Sequence, residues 1–140
     1  MVGERPPAAN LLKLCGNFMV ASAIEALGEA MTLAQKGGLA PETLVDLLTE
    51  VLPHPVYETY GRLMQTRRFS PPGFAAPLGL KDVDLIAAAA ASLQTPMPLL
   101  GVVQGHLLSL LAQEGHDIDW SAILLPIERA AAVGPPAAHI

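Results

Sequence analysis

Lys13 and Asn17 are the residues whose types and spacing could do chemistry. They stand four residues apart in a run of helix-forming residues, and positions four apart project from the same side of an α-helix. A partly desolvated lysine gives up its proton more readily and can exchange it with a hydroxyl or carbonyl group. A nearby asparagine offers a donor and an acceptor to orient the same oxygen. The pair therefore predicts acid–base chemistry at the mouth of a cleft.

The same two residues also have an ordinary structural interpretation. A lysine can lay its alkyl stem on apolar surface with its ammonium group in water, and an asparagine can cap a neighbouring backbone group. The rest of their helix stripe is apolar or small, which favours packing against other elements. Its members are Val20, Ala21, Ile24, Leu27, Gly28 and Met31. Glu25 and Glu29 lie on a different side and are expected to face water.

Lys81 and Asp82 form a second polar group, in the segment FAAPLGLKDVDL at 74–85. The pattern predicts that they open a helix, where the helix dipole favours the aspartate and not the lysine. Lys81 is therefore either an ordinary solvated charge or a functional residue. The four histidines are dispersed without the paired spacing of a metal motif, so no metal site is predicted.

The composition excludes several classes of protein. Charged residues make up 15% of the chain against about 25% in an average globular protein, with 51% hydrophobic residues and a mean hydropathy of +0.41. The formal net charge of −5 argues against a nucleic-acid partner. A single cysteine, Cys15, excludes an internal disulfide. Because neither a signal peptide nor an uninterrupted apolar run of about 20 residues is found, we expect a cytoplasmic protein without a membrane partner.

The order of helix signals predicts an all-α fold of about six helices, since no segment alternates as a strand would. One long N-terminal helix runs from about Ala8 to Lys36 and stops at Gly37 and Gly38. The other helices are predicted at 40–52, 55–69, 78–95, 96–115 and 119–133. Asp119 is the expected N-cap of the last one. Four aromatic residues are predicted as core or interface anchors: Phe18, Tyr57, Tyr60 and Trp120.

These segments occur in an order that resembles the C-terminal helical domain of the 3-hydroxyisobutyrate dehydrogenase family. This is the β-hydroxyacid dehydrogenase group, which is related to 6-phosphogluconate dehydrogenase. The resemblance is carried by LKLCGNFMVASAIEALGEAMTLAQKGGL, by the phenylalanine before LGLKDVDL, by TPMPLL and by DWSA. It covers residues 3–131 and implies the fold of the 6-phosphogluconate dehydrogenase C-terminal domain.

The resemblance also implies roles for four residues. Lys13 would be the general acid/base on the substrate, and Asn17 would hold that substrate, a small hydroxy acid or its carbonyl form. Phe74 and Lys81 would lie near the nicotinamide of NAD or NADP. Imine-reducing relatives usually lack a lysine at the motif position, so Lys13 speaks against that activity.

The domain organisation follows from the same resemblance. Residues 1–133 are expected to form a helical substrate and dimerisation domain, with 134–140 as a frayed tail. The family's nucleotide-binding domain, with its G-x-G-x-x-G turn, is not found in these 140 residues and is expected in a missing segment or a separate chain. The alternative is a catalytically silent helical module that pairs with itself or with an oxidoreductase subunit.

The helix at 98–113 predicts a homodimer, because it is apolar nearly all round and a small domain cannot easily cover such a helix alone. A two-fold interface would let the same patch meet itself. The expected contact residues are Leu100, Val103, Leu107, Leu108 and Leu111.

Overall fold

The computed structural model describes residues 7–134, which form six α-helices and contain no β-strand. The helices are α1 (Ala8–Lys36), α2 (Pro41–Val51), α3 (Pro55–Thr66), α4 (Ala76–Ser92), α5 (Pro98–Glu114) and α6 (Leu124–Ala130). A 3₁₀ helix at Trp120–Ile123 leads into α6. The predicted all-α fold with one long N-terminal helix is confirmed. Of the predicted tail at 134–140, only Gly134 lies within the described residues.

Helix α1 is the centre of the fold and contacts all five other helices. Its 29 residues span about 43 Å at 1.5 Å per residue. The helix ends where predicted, because Gly38 adopts φ +83°, a left-handed conformation that glycine reaches without strain. By length and composition alone, α1 is apolar enough to cross a membrane. The core helix of a globular domain passes the same test.

Glu25 does not face water, so that prediction is wrong. Its side chain is buried at 1% exposure, whereas Glu29 is exposed as expected. The Oε1 atom of Glu25 lies 2.6 Å from Nδ1 of His106 and joins α1 to α5. Burial, together with the neighbouring Glu29, raises the pKa of Glu25 to about 8. The prediction failed because α5 packs on a second side of α1. The buried surface of α1 is therefore wider than the one apolar stripe seen in the sequence.

Helix α4 begins at Ala76, five residues before Lys81, rather than at the Lys81–Asp82 pair. Pro77 stands in its first turn, where the fixed φ of proline suits a helix start. Asp82 therefore lies in the second turn, beyond the free N–H groups of the helix start. The dipole explanation of Asp82 is wrong, and its side chain needs another partner.

The other helix boundaries shift by a few residues. Helix α3 stops at Thr66 because Arg67 takes a left-handed φ of 53°. The Arg67 guanidinium then makes paired hydrogen bonds with the buried Glu128 carboxylate, at 3.0 and 2.9 Å. The last predicted helix is divided into the 3₁₀ helix and α6, with Asp119 as the cap that the sequence predicted.

The predicted dimer face of α5 is wrong in its detail. Leu100, Val103 and Leu107 are buried in the core of the single chain. Leu108 is exposed, as predicted, and Leu111 is only half-buried. The apolar residues that α5 turns outward are Leu99, Val102 and Leu108.

Candidate functional site

The four predicted site residues line a single cleft of about 560 Å³. They are Lys13, Asn17, Phe74 and Lys81. The cleft is completed by six further residues, which are Val20, Tyr60, Leu78, Asp82, Leu85 and Trp120. Residues up to 107 positions apart in the chain thus meet at one place, from Lys13 on α1 to Trp120 before α6. The arrangement brings together the four residues expected to act in catalysis, substrate binding or cofactor binding.

Two helices supply most of the cleft, each through one face. On α1 the lining residues follow helical spacing of four and three, from Lys13 to Asn17 to Val20. On α4 the spacing is again helical, with Leu78, Lys81, Asp82 and Leu85 in the lining. Residues at such spacings share a helix face. Both lysines are exposed, whereas the Asn17 and Asp82 side chains are half-buried between the helices.

Asp82 is the partner that orients Asn17. The Asn17 Nδ2 atom donates a hydrogen bond to Asp82 Oδ2 at 3.1 Å, across the α1–α4 contact. A carboxylate accepts hydrogen bonds only, so this contact fixes which end of the amide faces Asp82. The Asn17 Oδ1 atom and its second N–H are left for other partners. Asp82 therefore positions an amide beside Lys13 that can both accept from and donate to a ligand.

Phe74 is held in the cleft by Asp119, a buried side chain at 1% exposure. One carboxylate oxygen of Asp119 accepts hydrogen bonds from the backbone N–H groups of Gly73 and Phe74, both at 3.0 Å. The other oxygen accepts from the backbone N–H and the hydroxyl of Ser121, at 2.8 and 2.6 Å. The predicted cap of the last helical segment thus also fixes the loop that carries Phe74.

Trp120 connects the aromatic residues of the cleft into one wall. Its ring centroid lies 4.6 Å from Phe74 and 6.0 Å from Tyr60, in edge-to-face arrangements. Helix α4 can approach this ring because Gly79 carries no side chain. A Cβ at that position would stand 2.8 Å from Trp120 Cε3. The wall is therefore packed tightly on one side and faces the cleft on the other.

Six lining residues were not predicted as functional, and three of them carry polar groups: Tyr60, Asp82 and Trp120. Asp82 could have been found, because it shares a helix face with Leu78, Lys81 and Leu85 once the helix start is placed correctly. Trp120 is in the core at 7% exposure, as expected of an anchor, and also lines the cleft. Tyr60 reaches the cleft only through the packing of α3 on α1, which no local pattern reveals.

The histidines within residues 7–134 and the cysteine do not line this cleft. His54 caps α3 by accepting a hydrogen bond from the Val56 backbone N–H at 3.2 Å, and His106 pairs with Glu25. His139 lies outside the described residues. Cys15 is an exposed free thiol. Between residues 7 and 134, no group of three or more His, Cys, Asp or Glu side chains could hold a metal ion.

Comparison with known proteins gives a consistent family. The uncharacterised oxidoreductase YfjR of Bacillus subtilis is 35% identical over 88% of this chain and 43% of its own length. The crystal structure of 3-hydroxyisobutyrate dehydrogenase (ygbJ) from Salmonella typhimurium superposes with a TM-score of 0.79, at 24% identity over 86% of this chain and 42% of its own. The Mycobacterium tuberculosis 3-hydroxyisobutyrate dehydrogenase, solved with L-serine, superposes with a TM-score of 0.73. It is 26% identical over 84% of this chain and 42% of its own length.

The chain spans about two fifths of the length of these relatives. The family model described as "NAD-binding of NADP-dependent 3-hydroxyisobutyrate dehydrogenase" matches residues 8–127, from the first residue of α1 into α6. That match contains all ten residues of the cleft. The chain therefore belongs to the family of NAD-binding domains of 3-hydroxyisobutyrate dehydrogenases.

Proposed function

We propose that this chain is the helical part of an NAD- or NADP-dependent oxidoreductase that acts on a small hydroxy acid or its carbonyl form. One observation carries the proposal: Lys13 and an Asn17 oriented by Asp82 share a cleft with an aromatic wall. It is supported by the family match and by the L-serine, a hydroxyl-bearing acid, with which the Mycobacterium tuberculosis relative was solved. A nucleotide-binding domain, in the same protein or in a separate chain, completes the enzyme.

Lys13 is the proton-transferring residue in this proposal. Its amine removes the proton from the substrate hydroxyl as the carbonyl forms, and returns a proton to the oxygen in the reverse direction. Asn17 binds the same oxygen or the neighbouring carboxylate and keeps it within reach of Lys13. Asp82 acts through Asn17, because it accepts one amide hydrogen and so fixes the amide orientation. Lys13 is exposed in this chain, and a nucleotide-binding domain closing over the cleft would remove water from it.

The residues of the cleft also fit a nicotinamide ring. Phe74 and Leu78 offer an apolar surface to a flat ring, and Lys81 places a cation at the edge for polar or anionic groups of the cofactor. When bound, the nicotinamide would accept hydride from the hydroxyl carbon or deliver it to the carbonyl carbon. Lys81 and Phe74 are accordingly proposed as cofactor-binding residues, and the family description supports this assignment.

The proposal is tested with the chain joined to a nucleotide-binding domain. We expect 3-hydroxyisobutyrate, with NAD⁺ or NADP⁺, to give an increase in the absorbance of the reduced nicotinamide. Replacing Asp82 by Ala should raise KM, because Asn17 loses its orientation, whereas Asp84→Ala on the exposed side of α4 should change little. No hydride transfer to or from a panel of small hydroxy acids and their carbonyl forms would overturn the proposal and leave the silent helical module.

We further propose that the protein is a homodimer formed through the outward face of α5. That face contains the exposed residues Gly101, Val102, Gly105 and Leu108. A Cβ placed on either glycine would meet nothing within 4 Å, so the packing of residues 7–134 does not require glycine there. Glycine inside a helix costs about 1 kcal/mol relative to alanine. Close approach by α5 of a second copy would account for both glycines and cover the apolar side chains.

Light scattering at micromolar concentration tests the dimer. We expect a mass of about 29 kDa, twice the 14.6 kDa of one chain. Leu108→Asp should shift the mass toward one chain, because it buries a charge in the interface. Leu33→Asp, at a position on α1 that is 75% exposed, should not. A mass of one chain for the unchanged protein contradicts the dimer.

For the cellular setting we propose the cytoplasm, with neither nucleic acid nor a membrane as partner. The net charge of −5 argues against a nucleic-acid partner, since phosphate binding needs clustered basic residues. The contacts of α1 with all the other helices support its assignment as a core helix.

A further inference from the structure

Glu25 is a buried carboxyl group that the proposed function does not use. It lies at the contact of α1 with α5 and is 1% exposed. Its Oε1 atom is 2.6 Å from Nδ1 of His106, whereas Oε2 is buried and has no hydrogen-bond partner within residues 7–134. The buried Glu128 differs, because both of its oxygens accept hydrogen bonds from Arg67. Within the same residues the one ion-pair partner of Glu25 is His106, which is not a permanent cation.

The other charged groups near this contact do not supply a cation to Glu25. Glu29, one turn later on α1, is a second carboxyl group and is exposed. On α5, Glu114 pairs with Arg129 of α6. Helices α4 and α6 and the 3₁₀ helix pack on both α1 and α5, and the 3₁₀ helix carries no charged side chain. The remaining charged residues of α4 and α6 line the cleft or have other partners: Lys81, Asp82, Asp84 and Glu128.

This arrangement favours Glu25 as a neutral carboxylic acid. An ionised carboxylate spreads its charge over two oxygens, and Oε2 would then carry a buried charge without a donor, which is very costly. As an acid, Glu25 can donate from Oε1 to Nδ1 of His106 and leave Oε2 as a carbonyl oxygen. Burial, and after it the neighbouring Glu29, raises the pKa of Glu25 from 4.5 to about 8. At neutral pH, Glu25 therefore keeps its proton in the folded chain and loses it in the unfolded chain.

We propose that Glu25 and His106 form a proton-dependent tie that holds α5 on α1 while Glu25 is protonated and weakens when Glu25 ionises. Neither residue lines the cleft, so this inference does not rest on the proposed function. Because the pKa of Glu25 is higher in the folded chain than in the unfolded chain, the stabilisation is complete below about pH 4.5 and is lost as the pH rises to about 8. The pH thereby sets how firmly the two helices are joined.

Urea unfolding at a series of pH values tests the tie. Glu25→Gln keeps a group that can donate to His106 and cannot ionise. We compare the folding equilibrium constants of the unchanged protein and this variant at one protein concentration, through the fluorescence of Trp120. Their ratio should fall by up to about tenfold per pH unit between pH 5 and pH 7, since the folded chain binds one proton more. Glu29→Gln, the matched control on the same helix, should keep the pH dependence of the unchanged protein. A ratio for Glu25→Gln that does not change with pH overturns the inference.

Carbon-13 NMR of the unchanged protein gives a second readout, which does not depend on the folding of any variant. One glutamate carboxyl carbon should titrate near pH 8. The ring signals of His106 should shift in the same step, because Nδ1 loses its donor. Those of His54, whose Nδ1 accepts from the Val56 backbone N–H, should not. If every glutamate carboxyl titrates below pH 6, or if His106 does not follow the step, the tie is contradicted.

Discussion

Replacing Lys13 by alanine is expected to lower kcat by about 10²–10⁴-fold, the usual contribution of a general acid/base. The lysine lies near the start of α1, beside an Asn17 that Asp82 orients, so its loss would remove the proposed proton-transferring group and leave the rest of the cleft in place. Because Lys13 is exposed in this chain, the substitution should not change the stability of the fold by more than about 0.5 kcal/mol. Steady-state kinetics on the chain joined to a nucleotide-binding domain measures the effect.

Two further variants separate proton transfer from charge. Lys13→Arg keeps a cation at the same place, but a guanidinium is not deprotonated in proteins, so activity should remain low. Lys36→Ala removes another lysine of α1, in the last turn and outside the cleft, and should leave kcat unchanged. A loss of less than about tenfold in Lys13→Ala would contradict an acid/base role.

Asp119→Ala is expected to give the largest loss of stability, about 3 kcal/mol in the free energy of unfolding. The carboxylate accepts four hydrogen bonds, from Gly73, Phe74 and twice from Ser121. Alanine would leave these donors without their acceptor, and a buried donor left without an acceptor costs about 1–3 kcal/mol. Urea unfolding, followed through the fluorescence of Trp120, measures the change.

Asp117→Ala is the matched control, because Asp117 is exposed two residues earlier in the same segment. Its effect should stay within about 0.5 kcal/mol. A change of less than about 1 kcal/mol in Asp119→Ala would show that the Phe74 loop is held by other contacts. Activity should fall with stability in Asp119→Ala, since the loop carries a wall of the cleft.

Local sequence features predicted most of the helices and drew attention to Lys13, Asn17 and Lys81, whereas Phe74 came only from the family resemblance. The length of α1 could be predicted because no proline interrupts it and Gly37–Gly38 stops it. Asp119 could be placed because Asp followed by Trp-Ser has the form of a cap. The family resemblance, and not the spacing alone, supplied the roles of Lys13, Asn17 and Lys81. A lysine and an asparagine four residues apart are equally compatible with a solvated helix face.

What failed depended on contacts between distant parts of the chain. Glu25 was misplaced because its burial arises from His106, 81 positions away on α5. The partner of Asp82 is 65 positions away on α1, and the dipole argument considered only its own helix. The face of α5 was misassigned because a helix that is apolar nearly all round carries little information about which side packs inward.

The measurement that tests the central claim most directly is chemical rescue of Lys13→Ala. Lys13 is exposed at the edge of the cleft, so its removal leaves room that a small amine can enter. If Lys13 transfers the proton, methylamine and ethylamine should restore part of kcat in proportion to the concentration of the free amine, and tetramethylammonium should not. Equal rescue by tetramethylammonium would contradict proton transfer by Lys13. So would a Lys13→Ala variant that no amine rescues, if Lys13→Arg is fully active.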